Sequence, residues 1–103
     1  MANKFFKECF LQDIYHYEAL EVWEELEIGE KLSLGKDENK DKKVVLIYGG
    51  KRIGRLSDDD AKLIYDFIEA GRKDVFVGIV SFKSGETADE NKRLKVVIKI
   101  REN

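Results

Sequence analysis

The chain has 103 residues, a formal net charge of −2, one cysteine and no proline. It fits one domain over 1–103, and it excludes an internal disulfide, cysteine-based zinc spacing and the strong basic excess of a sequence-blind nucleic-acid binder. With no apolar run long enough to span a bilayer and no leader-like segment, a soluble cytoplasmic protein without a membrane partner is expected.

Residues 5–14 are apolar and aromatic with single polar interruptions, and read as a first strand. Ala19, Val22, Trp23 and Leu26 then repeat at i, i+3, i+4 and i+7, predicting an amphipathic helix over 18–28 with Trp23 as core anchor. Leu20 lies beside the stripe, five glutamates (Glu18, Glu21, Glu24, Glu25, Glu27) take much of the remaining surface, and Gly29 ends the helix. Leu32 and Leu34 alternate with Lys31 and Ser33 in a short strand at 30–34, and 36–42 is a polar loop.

The central unit is the most explicit part of the chain. The run Val44-Val45-Leu46-Ile47-Tyr48 predicts a strand, and Gly49-Gly50 a type I′ turn, which needs positive φ at both centres. Gly54 marks a bulge or a close backbone approach in the following strand, 51–56. Ser57 is the N-cap of a helix whose first turn carries Asp58, Asp59 and Asp60, where the dipole favours negative charge. Ala61, Ile64, Tyr65 and Ile68 form its stripe, Leu63 and Phe67 widen it, and Gly71 closes it.

Residues 74–82 form an apolar strand expected to be buried on both faces, and 83–91 a polar loop. In the last strand Leu94, Val96, Ile98 and Ile100 oppose Lys95, Lys99 and Arg101, with Val97 the exception. Six short strands, two helices and no βαβ rhythm give the fold class: mostly β, α+β, a small and largely antiparallel six-stranded barrel with helices packed against it.

Charge is unevenly placed. Residues 1–35 carry 3 basic and 8 acidic side chains, whereas 36–55 carry 7 basic against 3 acidic. Tyr15, His16, Tyr17 and Tyr48, with the hairpin cations Lys51, Arg52 and Arg55, combine rings with cations. That suits single-stranded nucleic acid, where bases stack and phosphates pair, although aromatics near strand ends also serve as packing. Enzymatic signals are absent. Cys9 and His16 lack a third orienting group, and Cys9 within an aromatic strand reads as a small buried hydrophobe. Consecutive aspartates point in different directions on a helix, so no metal site or cofactor is expected there.

The order of segments resembles a HIRAN domain over about residues 4–101. The matching features are a first strand ending in the aromatics Tyr15-His16-Tyr17 and a segment Leu26-x-x-Gly29-Glu30-x-Leu32-x-Leu34. A polar loop then enters the strand at Val44, followed by Gly50-Lys51-x-Ile53-Gly54-Arg55-Leu56-Ser57, a helix ending at Gly71 and two more strands. The resemblance implies an OB-like or SH3-like barrel that binds single-stranded DNA, captures a free 3′ end and targets a helicase or nuclease partner in DNA repair. By position, Tyr15 and His16 would face the terminal nucleotide, Asp41 would accept its hydroxyl, and Arg55 would face phosphate. The chain departs from the family in the loop. Lys40 stands where a stacking tyrosine is usual, which leaves a phosphate contact in place of a base contact. The rival expectation is a protein-interaction domain that uses the acidic 18–28 segment and no nucleic acid.

Overall fold

The structure, a computed structural model, describes residues 3–37, 42–85 and 89–101. Its strands are β1 (Asn3–Phe10), β2 (Lys31–Lys36), β3 (Val44–Tyr48), β4 (Lys51–Arg55), β5 (Phe76–Lys83) and β6 (Leu94–Arg101), with one α-helix, α1 (Asp58–Glu69). Short 3₁₀ segments at Ile14–His16, Ala19–Glu25, Lys73–Val75 and Glu90–Lys92 complete it. No helix among the described residues is long and apolar enough to cross a membrane.

The strands form one antiparallel six-stranded sheet in the order β1-β6-β5-β2-β3-β4. β1 and β4 are its edges, and among the described residues no ladder joins them, so the sheet is not closed. An isolated bridge pairs Gln12, two residues beyond β1, with Arg55 through backbone hydrogen bonds of 2.7 and 3.1 Å. Each of three strands gains an extra residue at a bulge, at Phe6, Ile53 and Ser81. Such bulges bend a strand and increase its twist. Inside lie Leu11, Ile14, Leu26, Leu34, Leu46, Ile53, Leu56, Ile64, Leu94 and Ile98, all essentially inaccessible to solvent.

The central unit forms as its residues dictate. Gly49 and Gly50 hold φ of 56° and 83°, the pair a type I′ turn requires. Gly54 is the expected close approach: a Cβ there would meet Leu11 Cβ and Ile14 Cγ2, each at 3.1 Å. The Ser57 side chain accepts the Asp60 N–H (3.3 Å) and donates to Asp60 Oδ2 (3.0 Å). At the other end, Gly71 N–H bonds Ile68 O and Arg72 N–H bonds Phe67 O, the two bonds of a Schellman motif. Ion pairs fasten α1 across the sheet. Lys7 of β1 holds Asp60, Lys43 holds Asp58, and Lys36 of β2 holds Glu69 at 2.8 Å.

Several expectations change. The first strand stops at Phe10 because Asp13 adopts a left-handed backbone (φ 55°), which turns Ile14, Tyr15 and His16 into a 3₁₀ turn. The 18–28 helix is 3₁₀, spans Ala19–Glu25, and breaks at Val22 (φ −121°). Its glutamates repel at i+3 and i+4 with no cation among them, and the segment is too short to be helical on its own. The stripe still faces inward: Ala19, Val22 and Leu26 are buried and Trp23 is half-buried. On α1, Leu63 and Phe67 do not widen the buried face, being 52% and 49% exposed, while Asp60 is buried with its partners. β5 is buried on both faces only from Phe76 to Gly78; beyond Val80 it alternates, and Phe82 is exposed.

Candidate nucleic-acid interface

The aromatic cluster after β1 is held by the far end of the chain. Asp13 N–H donates to Asn91 Oδ1 (2.9 Å) and Tyr15 N–H to Glu90 Oε2 (3.0 Å), pinning the 3₁₀ turn to residues 90–91. Tyr15 and His16 consequently project into solvent, Tyr15 with 45% of its surface free. Tyr17 turns the other way. Its hydroxyl donates to Asp37 Oδ2 at 2.6 Å, and burial, followed by this bond to a carboxylate, pushes the phenol up. Tyr17 is therefore engaged in a fixed internal contact.

The hairpin cations face carboxylates. Lys51 Nζ lies 3.1 Å from Glu21 and 3.5 Å from Glu18, and the hydrogen bond to Glu21 leads the causes that raise its ammonium. Arg55 Nε donates to Asp13 Oδ2 (2.6 Å), and its Nη1 to Leu56 O (3.1 Å). Arg52 is half-buried and accepts the Glu18 N–H on its carbonyl (2.7 Å). Tyr15, His16 and Arg55 thus meet around Asp13, whereas Lys51 and Arg52 lie against the acidic segment. Lys40 and Asp41 fall outside the described residues. Lys42, Lys43 and Lys62 line a cleft of about 430 Å³ with Asp58, Tyr65 and Asp66.

A second set of residues was not singled out from the sequence. The Arg93 guanidinium lies 4.6 Å from the Trp23 ring centroid and 5.5 Å from that of Tyr15, whose hydroxyl it also reaches. Arg93 Nε is fixed by Ser84 O (3.0 Å). Lys83 Nζ sits 4.9 Å over the Trp23 ring and donates to the Trp23 carbonyl. Tyr15, Arg93, Trp23 and Lys83 form one continuous run of rings and cations. In register beside it, Lys95 pairs with both Phe10 and Phe82, its Nζ 4.9 Å over the Phe10 ring, and the two phenyl rings meet edge to face at 6.2 Å. Among the described residues no carboxylate forms an ion pair with Lys83, Arg93 or Lys95. The outward alternation of β6 could have flagged Lys95. Trp23 was hidden because its spacing marks it as core.

Cys9 is buried, and burial, with Asp60 second, pushes its thiol up to about 12. A thiol that stays protonated at neutral pH is a poor nucleophile, and His16 lies out in solvent. No family model, curated protein or solved structure matches the chain.

Proposed function

We propose that this chain is a HIRAN-like, non-catalytic module that binds single-stranded DNA and delivers it to an associated helicase or nuclease. The observation that carries the reading is the continuous Tyr15–Arg93–Trp23–Lys83 run, where partly open rings alternate with cations that have no ion-pair partner among the described residues. Bases stack on aromatic faces and on guanidinium planes, and phosphates pair with the flanking cations. The bulged antiparallel sheet, with Gln12 just beyond β1 bridged to Arg55 of β4, supports an OB-like barrel as the scaffold. The contact site differs from the one the family order implies. Lys51 and Arg55 are engaged by Glu21 and Asp13, so the phosphate contacts move to Lys83, Arg93 and Lys95. With a net charge of −2, binding is weak, in the micromolar range or poorer.

Fluorescence anisotropy with labelled single strands tests this across a salt series. Affinity falls as salt rises, and Arg93→Ala both weakens binding and reduces the salt slope by about one phosphate contact. Strands with a free or a phosphorylated 3′ end separate end capture from general strand binding. Absence of binding at high micromolar protein refutes the module.

A protein-docking role is the second reading. It rests on Leu20 and Ile28, exposed apolar side chains set among five glutamates. It predicts that replacing both with glutamate abolishes partner binding and leaves oligonucleotide affinity unchanged.

A further inference from the structure

We propose that Asp13, His16 and Glu90 bind a divalent first-row transition-metal ion, with Zn²⁺ as the defining ligand. One carboxylate oxygen from each acid and one imidazole nitrogen lie within 4.8 Å of one another. Tetrahedral zinc with bonds of about 2.0–2.2 Å spaces its ligand atoms about 3.3–3.6 Å apart, so the set closes on an ion when side-chain rotation draws the donors about 1 Å closer.

The donors come from two remote parts of the chain, and their convergence is built. Asp13 occupies a left-handed backbone that only a few residue types tolerate outside glycine. Its second oxygen is held by Arg55 Nε at 2.6 Å, and its N–H by Asn91 at 2.9 Å. Glu90 gives Oε2 to the Tyr15 N–H at 3.0 Å. Asp89 caps the 3₁₀ segment that carries Glu90 by accepting the Asn91 N–H at 2.9 Å. Each carboxylate therefore has one oxygen oriented by a fixed donor. Outer hydrogen bonds orient metal ligands in this way. The His16 imidazole has no hydrogen-bond partner among the described residues.

Charge favours a cation there. Asp13 is paired with Arg55, whereas Glu90 forms no ion pair among the described residues, and the imidazole adds a nitrogen donor. The donor chemistry selects the ion: three ligands including an imidazole suit zinc and its neighbours, whereas calcium and magnesium demand six or more oxygens. Water completes the shell, because two of the three side chains are half-buried and His16 is exposed. A bound ion would join the 3₁₀ turn after β1 to the segment before β6. It would stabilise the fold by mass action, since the unfolded chain has no preformed site.

His16 is the sole histidine, so its ring proton resonances report the site without ambiguity. The experiment is an NMR titration of the untagged full chain with zinc chloride at neutral pH, followed by calorimetry and thermal unfolding. The expected result is a saturable shift of the His16 ring resonances at one equivalent and a raised Tm. His16→Ala and Glu90→Gln each weaken binding at least about tenfold. Asp59→Asn, on the exposed start of α1, binds zinc as the wild type does. Ring resonances unmoved by several equivalents of zinc overturn the proposal, as does wild-type affinity in either His16→Ala or Glu90→Gln.

Discussion

Asp13 accepts a 2.6 Å hydrogen bond from Arg55 Nε, one residue from the bridge that pairs Gln12, just beyond β1, with Arg55 at the end of β4. Both side chains are largely shielded, at 26% and 18% exposure. Removing the cation leaves a partly buried carboxylate without its partner, which costs more than the bond itself contributes. Arg55→Ala should therefore destabilise the fold by about 2 kcal/mol, and Asp13→Asn, which keeps an acceptor, by about 1 kcal/mol. Urea unfolding measures both; a smaller loss for Arg55→Ala than for Asp13→Asn contradicts the account.

Ser57 serves the start of α1 twice, as acceptor for the Asp60 N–H and as donor to the Asp60 carboxylate. Ser57→Ala should cost about 1 kcal/mol and Ser57→Gly only a few tenths. Equal losses in the two variants, read by thermal unfolding, would show that the cap contributes little.

Gly78 of β5 lies under Leu46 of β3. A Cβ added there would stand 2.9 Å from Leu46 Cδ1 and 3.4 Å from Leu32 Cβ. Leu46 is fully buried in the core and must shift to admit the methyl, so Gly78→Ala should cost about 1–3 kcal/mol. Pairing it with Leu46→Val should recover part of that loss, a non-additivity that a double-mutant cycle reads directly.

Much of this was legible in the residues. Apolar alternation, the Gly-Gly turn, the Ser57 cap and Gly71 are local signals, and each found its element. The 18–28 segment was misjudged because periodicity reports which face is buried, not whether the turn is α or 3₁₀. Its glutamates carried the missing information, since like charges at i+3 and i+4 oppose a regular helix. The placement of Arg93 against Trp23 depends on β6 lying next to β5 and on the Ala19–Glu25 segment meeting the end of β5 at Lys83 and the residue before β6, Arg93. No short window of sequence contains that relationship. The same holds for Asp13 and Glu90, which are distant in sequence and adjacent in space.

Trp23 is the only tryptophan, with Arg93 and Lys83 over its ring. Its half-burial lowers the cost of Trp23→Ala to about 2 kcal/mol, below that of a full core truncation. Its fluorescence should be quenched by bound oligonucleotide and altered by Arg93→Ala. An emission spectrum unchanged in Arg93→Ala would remove Arg93 from the ring face.

Alkaline stability follows from two acids that the fold keeps neutral. The Cys9 thiol moves from 9.0 to about 12, and the Tyr17 phenol is raised above its ordinary 10.0, in each case chiefly by burial. Above pH 9 the unfolded chain loses the thiol proton while the folded chain keeps it, and above 10 the phenol follows. The unfolded state then binds fewer protons, so stability is full below pH 9 and declines from there towards 12. Cys9→Ala should remove the part of the decline that starts at pH 9 and continues towards 12, and Tyr17→Phe the part that starts at pH 10. A flat wild-type profile between pH 8 and 11 would contradict both assignments.

The pairing of Asn3 with Arg101 and of Phe10 with Lys95 has a temporal consequence. β1 is translated before the other five strands, and β6, its ladder partner among the described residues, after all of them. Phe5, Phe6 and Phe10 therefore wait on a strand without a neighbour until β6 has been made. Pairing of such high sequence separation is slow, and unpaired apolar edges associate with one another. Nascent chains stalled before residue 94 should bind chaperones through this strand, and release should coincide with the appearance of β6.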